Sequence, residues 1–310
     1  MSQILLVEPE FPIPRKSKNH KNFLPIGLLK LYDFYMSQEH RPKLIRGNKS
    51  RQEIGTRFKP KRIMITSLFT YWSKHVKDSV NHYRKLFPEA KITVGGIYAS
   101  LMPKHCKKYT GCDEVFIGIH KEAERYAKNN TLTYSALSNP HPIDYQIIHA
   151  SRGCFRKCSF CGTWKIEPDI TFKRSIKGEI CKKKLIFYDN NLLTNPFIEN
   201  ILYEIISERE KGNFIRCESQ SGFDGRILLK KKHLAKLLKQ AGFDYPRIAW
   251  DGKYSEHPKI DRQLDILKNA GFCSRETYVF MLYNWLIPFE EMERKRIKCW
   301  GWKVQIADCR

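Results

Sequence analysis

The sequence predicts an α/β fold built on parallel sheets and divided into two parts. Three observations carry this. Short apolar runs alternate with amphipathic helical stretches along the chain, and such alternation builds βα units whose strands run parallel under covering helices. A polar stretch, Lys128 to Pro142, holds Asn129-Asn130, several Ser and Thr, and two prolines, and reads as a linker. Beyond it, apolar runs recur at spacings of about 30 residues, which suggests a barrel or partial barrel of six βα units.

In the first half, Ile4-Leu5-Leu6-Val7 is a β run followed by the breaker-rich Glu8 to Pro14. Pro25 to Tyr35 reads as a helix carrying Leu28, Leu29, Leu31 and Tyr32. Arg62 to Thr66 is a second strand. Trp72 to Leu86 is amphipathic, with Val76, Val80, Tyr83 and Phe87 at helical spacing. Lys91 to Val94 is a third strand, stopped by Gly95-Gly96, and Glu114 to Gly118 a fourth. Ligands of such sheets sit beyond the carboxyl ends of the strands. No GxGxxG follows the first strand, so a dinucleotide fingerprint is absent.

In the second half the expected strands are 145–150, 184–189, 214–219, 246–251, 277–282 and 302–307. Helical patterns lie between them at Phe197 to Glu210, Lys231 to Gln240 and Arg262 to Asn269. The last two end in Ala-Gly-Phe, where the glycine suits a left-handed helix cap.

Composition bounds the function. The 310 residues carry 56 Lys and Arg against 32 Asp and Glu, a formal charge of +24. Aromatics at 13% argue for a packed core rather than a disordered chain. No apolar run approaches the roughly 18 residues of a membrane span. Met1 to Phe11 lacks the basic start of a secretory signal. A cytoplasmic, membrane-free protein is therefore expected. There the ten cysteines act as buried small residues, metal ligands or reactive thiols rather than disulfides. The charge suits an anionic substrate or partner, nucleic acid among them, although no regular aromatic platform accompanies the basic runs.

The sharpest motif is Cys154-Phe155-Arg156-Lys157-Cys158-Ser159-Phe160-Cys161, a C-x3-C-x2-C placed just after the first strand of the second half. Three thiolates within eight residues suit an iron–sulfur cluster or zinc. Structural zinc wants a fourth ligand, usually from a second C-x2-C, and none exists here. Three ligands leave one position open for substrate.

With its flanks Ser151-Arg152-Gly153 and Gly162, the motif resembles that of the radical S-adenosylmethionine (SAM) superfamily, in particular its cobalamin-binding-domain branch. The first half is similar to the Rossmann-like domain of that branch through Pro25-Ile26-Gly27-Leu28-Leu29 and Val94-Gly95-Gly96-Ile97-Tyr98-Ala99. The resemblance implies a Rossmann-like cobalamin-binding-type domain at 1–128, a linker at 129–144 and a (βα)6 partial TIM barrel at 145–310.

The resemblance also implies chemistry. Cys154, Cys158 and Cys161 would hold three irons of a [4Fe–4S] cluster, and the open iron would chelate SAM. An external donor of flavodoxin or ferredoxin type would supply the electron that cleaves SAM to a 5′-deoxyadenosyl radical. Phe160 would pack the adenine. Asp189, followed by Asn190, stands where the family holds the SAM amine. Ser219, Gln220 and Asp251, at the ends of later strands, are candidates for the SAM ribose or the substrate. Cobalamin-dependent methyl transfer to an unactivated carbon is the reaction of the branch.

The alternatives are a degenerate, cobalamin-free first domain and a non-catalytic basic iron–sulfur protein that binds nucleic acid or a partner. The Asp-x-His-x-x-Gly pattern of one cobalamin ligation mode is absent. Methylthiotransferases of the superfamily carry a second cluster on three N-terminal cysteines, whereas only Cys106 and Cys112 stand in this half. Tyr283-Asn284, at the end of the fifth expected strand, departs from the Gly-rich adenine segment common there. The chain stops soon after the sixth expected strand, which suggests a partner over an open edge or a shortened ancestor.

Overall fold

A computed structural model describes residues 1–12, 24–128, 132–136, 144–282 and 286–309. Most of the expected linker, and Tyr283-Asn284, lie outside the described residues. The chain forms two units, Met1–Ile143 with Lys165–Glu167, and Asp144–Trp164 with Pro168–Arg310.

In unit 1 the strands are β1 (Gln3–Glu8), β2 (Arg41–Arg46), β3 (Arg62–Ser67), β4 (Lys91–Gly96) and β5 (Glu114–Val115). The helices are α1 (Ile26–Ser37), α2 (Arg51–Ile54), α3 (Ser73–Leu86), α4 (Ile97–Leu101), α5 (Pro103–Thr110) and α6 (Lys121–Lys128). All strand pairs are parallel, in the order β2-β1-β3-β4-β5. Alternate residues of β1 serve opposite faces. Ile4 and Leu6 pack with Leu28, Leu29 and Tyr35 of α1, while Leu5 and Val7 join Val76, Val80 and Tyr83 of α3. A strand buried on both sides reads as an unbroken apolar run, as β1 does.

The strand β2 was not among the expected elements. Its sequence, Arg-Pro-Lys-Leu-Ile-Arg, has the proline and charges that suit an edge position rather than an apolar pattern. The fourth expected strand shrinks to Glu114–Val115, because Gly118 turns the chain at φ +80°.

Unit 2 begins with β6 (Tyr145–Ile148), β7 (Ser151–Arg152), β8 (Thr171–Phe172) and β9 (Lys184–Phe187), and the short α7 (Thr163–Ile166) has its first two residues in unit 2 and its last two in unit 1. Unit 2 continues with α8 (Ile198–Glu210), β10 (Arg216–Ser219), α9 (Gly225–Lys230), α10 (His233–Gln240), β11 (Arg247–Ala249) and α11 (His257–Asn269), and then β12 (Tyr278–Leu282), α12 (Phe289–Gly301) and β13 (Gln305–Cys309). Two three-stranded parallel sheets form, β6-β9-β10 and β11-β12-β13. Parallel bridges Cys217–Phe243 and Phe223–Ile248 tie β10 to the segments around β11. The Glu218–Arg247 ion pair, with both side chains largely buried, crosses the same seam. The six long strands thus follow one another in chain order.

The α/β class with parallel sheets agrees with the sequence reading. Gly242 and Gly271 follow α10 and α11 in the left-handed region, at φ +83° and +94°, as the Ala-Gly-Phe repeats indicated. The strands of unit 2 are one to three residues shorter than expected. The sixth shifts to Gln305–Cys309 because Lys303 takes a left-handed turn first.

Gly96 shows how closely β3 and β4 approach at their carboxyl ends. Its φ is +96°, and a Cβ there would lie 2.2 Å from the Ser67 carbonyl oxygen. Gly111 is also left-handed, yet a Cβ there meets nothing within 4 Å. Gly96→Ala is therefore expected to cost about 2–4 kcal/mol, with clash added to backbone strain. Gly111→Ala should cost about 1 kcal/mol. Urea unfolding followed on both variants tests the ranking, and equal losses would contradict it.

Candidate functional site

The three cysteines lie on one loop beyond the carboxyl end of β6, between β7 and β8. Those two short strands pair antiparallel, Ser151 with Phe172 and Arg152 with Thr171, and clamp the loop at its neck. Gly153 follows at φ +76°, where a Cβ would lie 2.4 Å from the Asp169 carbonyl oxygen. Only glycine lets the neck close so tightly. Lys157 takes φ +46°, the Cys161 amide donates to the Cys158 carbonyl at 3.0 Å, and the Trp164 indole N–H donates to that same carbonyl at 3.1 Å.

Residue 150 anchors this neck. The Asp189 carboxylate, fully buried, accepts from the Ala150 amide at 3.1 Å and from the Ser151 amide and hydroxyl at 2.5 and 2.6 Å. The Asn195 side-chain amide donates to the Ala150 carbonyl at 2.9 Å. Burial pushes the Asp189 carboxyl up to about 6, against the lowering by its hydrogen bonds.

A second set of contacts fixes the loop itself. Arg156 donates through Nε to Asp224 Oδ2 at 2.8 Å, and the Asn191 amide donates to that oxygen at 3.1 Å. Asp224 is also the N-cap of α9, accepting from the Arg226 amide, and pairs with the Arg226 guanidinium. Burial would raise the Asp224 carboxyl, but the bonds from Arg226, Asn191 and Arg156 outweigh it and hold the carboxyl below its usual range. Asn191 is itself buried, and among the described residues its Oδ1 has no hydrogen-bond partner.

The thiols are half-buried and none is in a disulfide. Burial raises the Cys158 thiol. Arg226 lowers it, while Cys161, Asp251 and Cys154 raise it, so all four groups lie within electrostatic reach of this sulfur. Asp251 follows β11, and its carboxyl is raised by burial against the fields of Lys295 and Arg226. Lys295, from α12, is fully buried and donates to the carbonyls of Trp250 and Gly252 at 2.7 and 3.0 Å, holding the segment that carries Asp251.

The expected site residues therefore separate. The cysteines and Asp251 share one electrostatic neighbourhood. Phe160 and Asn190 are half-buried. Asp189 is turned inward onto residues 150 and 151. The buried Ser219 donates to the Gly222 carbonyl at 3.1 Å, and Gln220 donates to Glu218 at 2.8 Å, so both make local bonds. Sequence reasoning missed Arg156, Asn191, Asp224, Arg226 and Lys295. Only Asp224, placed before a short helical run, carried a capping signal. Of the other cysteines, Cys106, Cys112, Cys217 and Cys299 are buried as expected of small apolar residues, whereas Cys181 and Cys273 are exposed on connecting segments.

Among the described residues no three His, Cys, Asp or Glu side chains converge to hold a single metal ion. An all-thiolate donor set on one loop suits an iron–sulfur cluster or zinc. No family model and no curated protein matches the chain. No helix among the described residues is long and apolar enough to cross a membrane.

The Asp189 titration gives a testable pH dependence. The native carboxyl keeps its proton to a higher pH than the unfolded one. Between about pH 4 and 6 the native state therefore binds more protons, and stability falls as pH rises. Asp189→Asn removes this titration. Its unfolding free energy should decline less than that of the parent across the window, by roughly 2–3 kcal/mol. Parallel pH profiles for the two proteins would refute the assignment.

Proposed function

We propose that the chain is a radical SAM enzyme, with unit 1 as its Rossmann-like domain and unit 2 as its (βα)6 partial barrel. The observation that carries this reading is the C-x3-C-x2-C loop. Its three thiols are free and partly exposed, and the loop is clamped at the carboxyl end of the first strand of a sequentially ordered parallel sheet.

When bound and reduced, a [4Fe–4S] cluster supplies the electron that breaks the S–C5′ bond of SAM, giving methionine and a 5′-deoxyadenosyl radical. Cys154, Cys158 and Cys161 would hold three of its irons, and the amino and carboxylate groups of SAM would bind the iron without a cysteine. An external one-electron donor of flavodoxin or ferredoxin type serves the reaction. Asp189 and Asn195 act as positioning residues by fixing residue 150. Arg156 ties the loop to Asp224. Asn191 Oδ1, a buried acceptor without a partner, suits the SAM ammonium, the role expected of Asp189. Asp251 would accept from a ribose hydroxyl, and Phe160 would pack the adenine.

For unit 1 the cobalamin-free reading is favoured. In the order β2-β1-β3, the crevice at the carboxyl ends of β1 and β3 is where a ligand would enter. There Phe11, following β1, stacks on Trp72, following β3, at 5.1 Å. Gly96 packs on the Ser67 backbone, so its missing side chain leaves no cradle. These residues do not fit a corrin.

Anaerobic reconstitution with iron and sulfide tests the reading. About four irons per chain are expected, with 5′-deoxyadenosine formed from SAM once a reductant is added. Cys154→Ser, Cys158→Ser and Cys161→Ser should each lose the cluster and the product. An intact cluster that makes no 5′-deoxyadenosine overturns the enzyme reading in favour of a non-catalytic iron–sulfur protein. Retention of one cobalamin per chain after gel filtration would overturn the cobalamin-free reading.

A further inference from the structure

The helix α12 presents three faces. Met292, Lys295 and Cys299 are buried inward. Phe289, Ile297 and Trp300 are open to solvent, Trp300 at 83%. Between these faces, Arg294, Lys298 and Gly301 line a cavity of about 370 Å³ with Tyr254, Ile297 and Trp302. The Arg294 guanidinium lies 4.2 Å from the Tyr254 ring centre, and the Lys298 ammonium 5.4 Å from the Trp302 ring. Among the described residues neither cation has a carboxylate within ion-pair distance, and no carboxylate lines this cavity.

A second cavity of about 660 Å³ adjoins it through Tyr254 and Arg294, lined also by Ser255, His257, Pro288, Glu290 and Glu291. The His257 ring packs on Tyr254 at 5.1 Å with the planes tilted by 47°, and among the described residues its buried Nδ1 has no hydrogen-bond partner. The two cavities are chemically unequal. The first offers positive charge without a counterion. The second is lined by the Tyr254 and His257 rings, with two carboxylates that repel anions.

We propose that these adjoining cavities form a binding site for one nucleotide unit of single-stranded nucleic acid. The phosphate sits on Arg294 and Lys298 in the smaller cavity. The base enters the larger one and stacks on the outer face of the Arg294 guanidinium, whose inner face covers the Tyr254 ring. Stacking on aromatic rings and guanidinium planes is how unpaired bases are held. The open Trp300 offers the neighbouring base a second stacking surface. A strand, rather than a free nucleotide, is favoured by the +24 charge, which attracts polyanions, and by the exposed indole beyond the cavity. The site stands independently of the iron–sulfur reading, because none of its residues belongs to the cysteine loop.

The test is binding of a fluorescent ten-nucleotide oligouridylate to the whole chain, by anisotropy at several salt concentrations. Binding that weakens with salt is expected, and Arg294→Ala with Lys298→Ala should weaken it at least about tenfold. Lys104→Ala with Lys108→Ala removes a matched pair of exposed lysines from α5 and should change binding less than about twofold. A Cβ at Gly301 would meet nothing within 4 Å, so Gly301→Leu fills the smaller cavity without removing charge. It should weaken binding at least about fivefold while raising or preserving thermal stability. Uridine monophosphate should compete only at far higher concentration than the oligonucleotide. Equal losses from the two charge-removal pairs, or parental binding by Gly301→Leu, would overturn the site in favour of a diffuse cationic coat. Competition by the monophosphate at equal concentration would overturn the strand in favour of a free nucleotide.

Discussion

Asp189 has no exposed surface, and its three hydrogen bonds run to residues 150 and 151. A carboxylate taken out of water is costly unless its oxygens are satisfied. Here they are satisfied by groups that would otherwise be orphaned where the chain leaves β6. Asn195 completes the arrangement at the Ala150 carbonyl. Both backbone groups of one residue are thereby bound by side chains from the segment after β9. The neck of the cysteine loop inherits its position from this clasp. Gly153, the β7–β8 pair and the Arg156–Asp224 bond then refine it.

Much of the architecture was legible because it rests on local pattern. The apolar run of β1, the amphipathic spacing of α3 and the Ala-Gly-Phe endings are short-range signals, and the structure places strands and helices there. The edge strand β2 was not legible. An edge strand buries one flank and carries charge on the other, so its sequence resembles a loop. The helices α9 and α12 were also unnamed in the sequence reading. The first is only six residues long, and the second interleaves aromatics and cations on three faces.

The site divides along the same line. Three cysteines at fixed spacing are visible because the motif is contiguous. Their supports are not, since Arg156 and Asp224 lie 68 positions apart. Asp189 illustrates the difficulty. Its place after a strand marked it as important, but whether its carboxylate faces a ligand or the backbone depends on what packs above it. Asn191, two residues on, kept the free acceptor instead. Lys295 gave no signal at all, because a buried lysine is recognised only once the carbonyls around it are known.

Acidic side chains are scarce in this chain, and many are spent indoors. Glu8 pairs with Arg46, Glu218 with Arg247, and Asp224 with Arg156 and Arg226, while Asp189 serves the backbone. Glu8, Glu218 and Asp224 are each matched by an arginine, so the excess of positive charge is left to the surface that meets solvent. Mobile anions must gather around it to balance the field, and a macromolecular anion that displaces them gains their release as entropy.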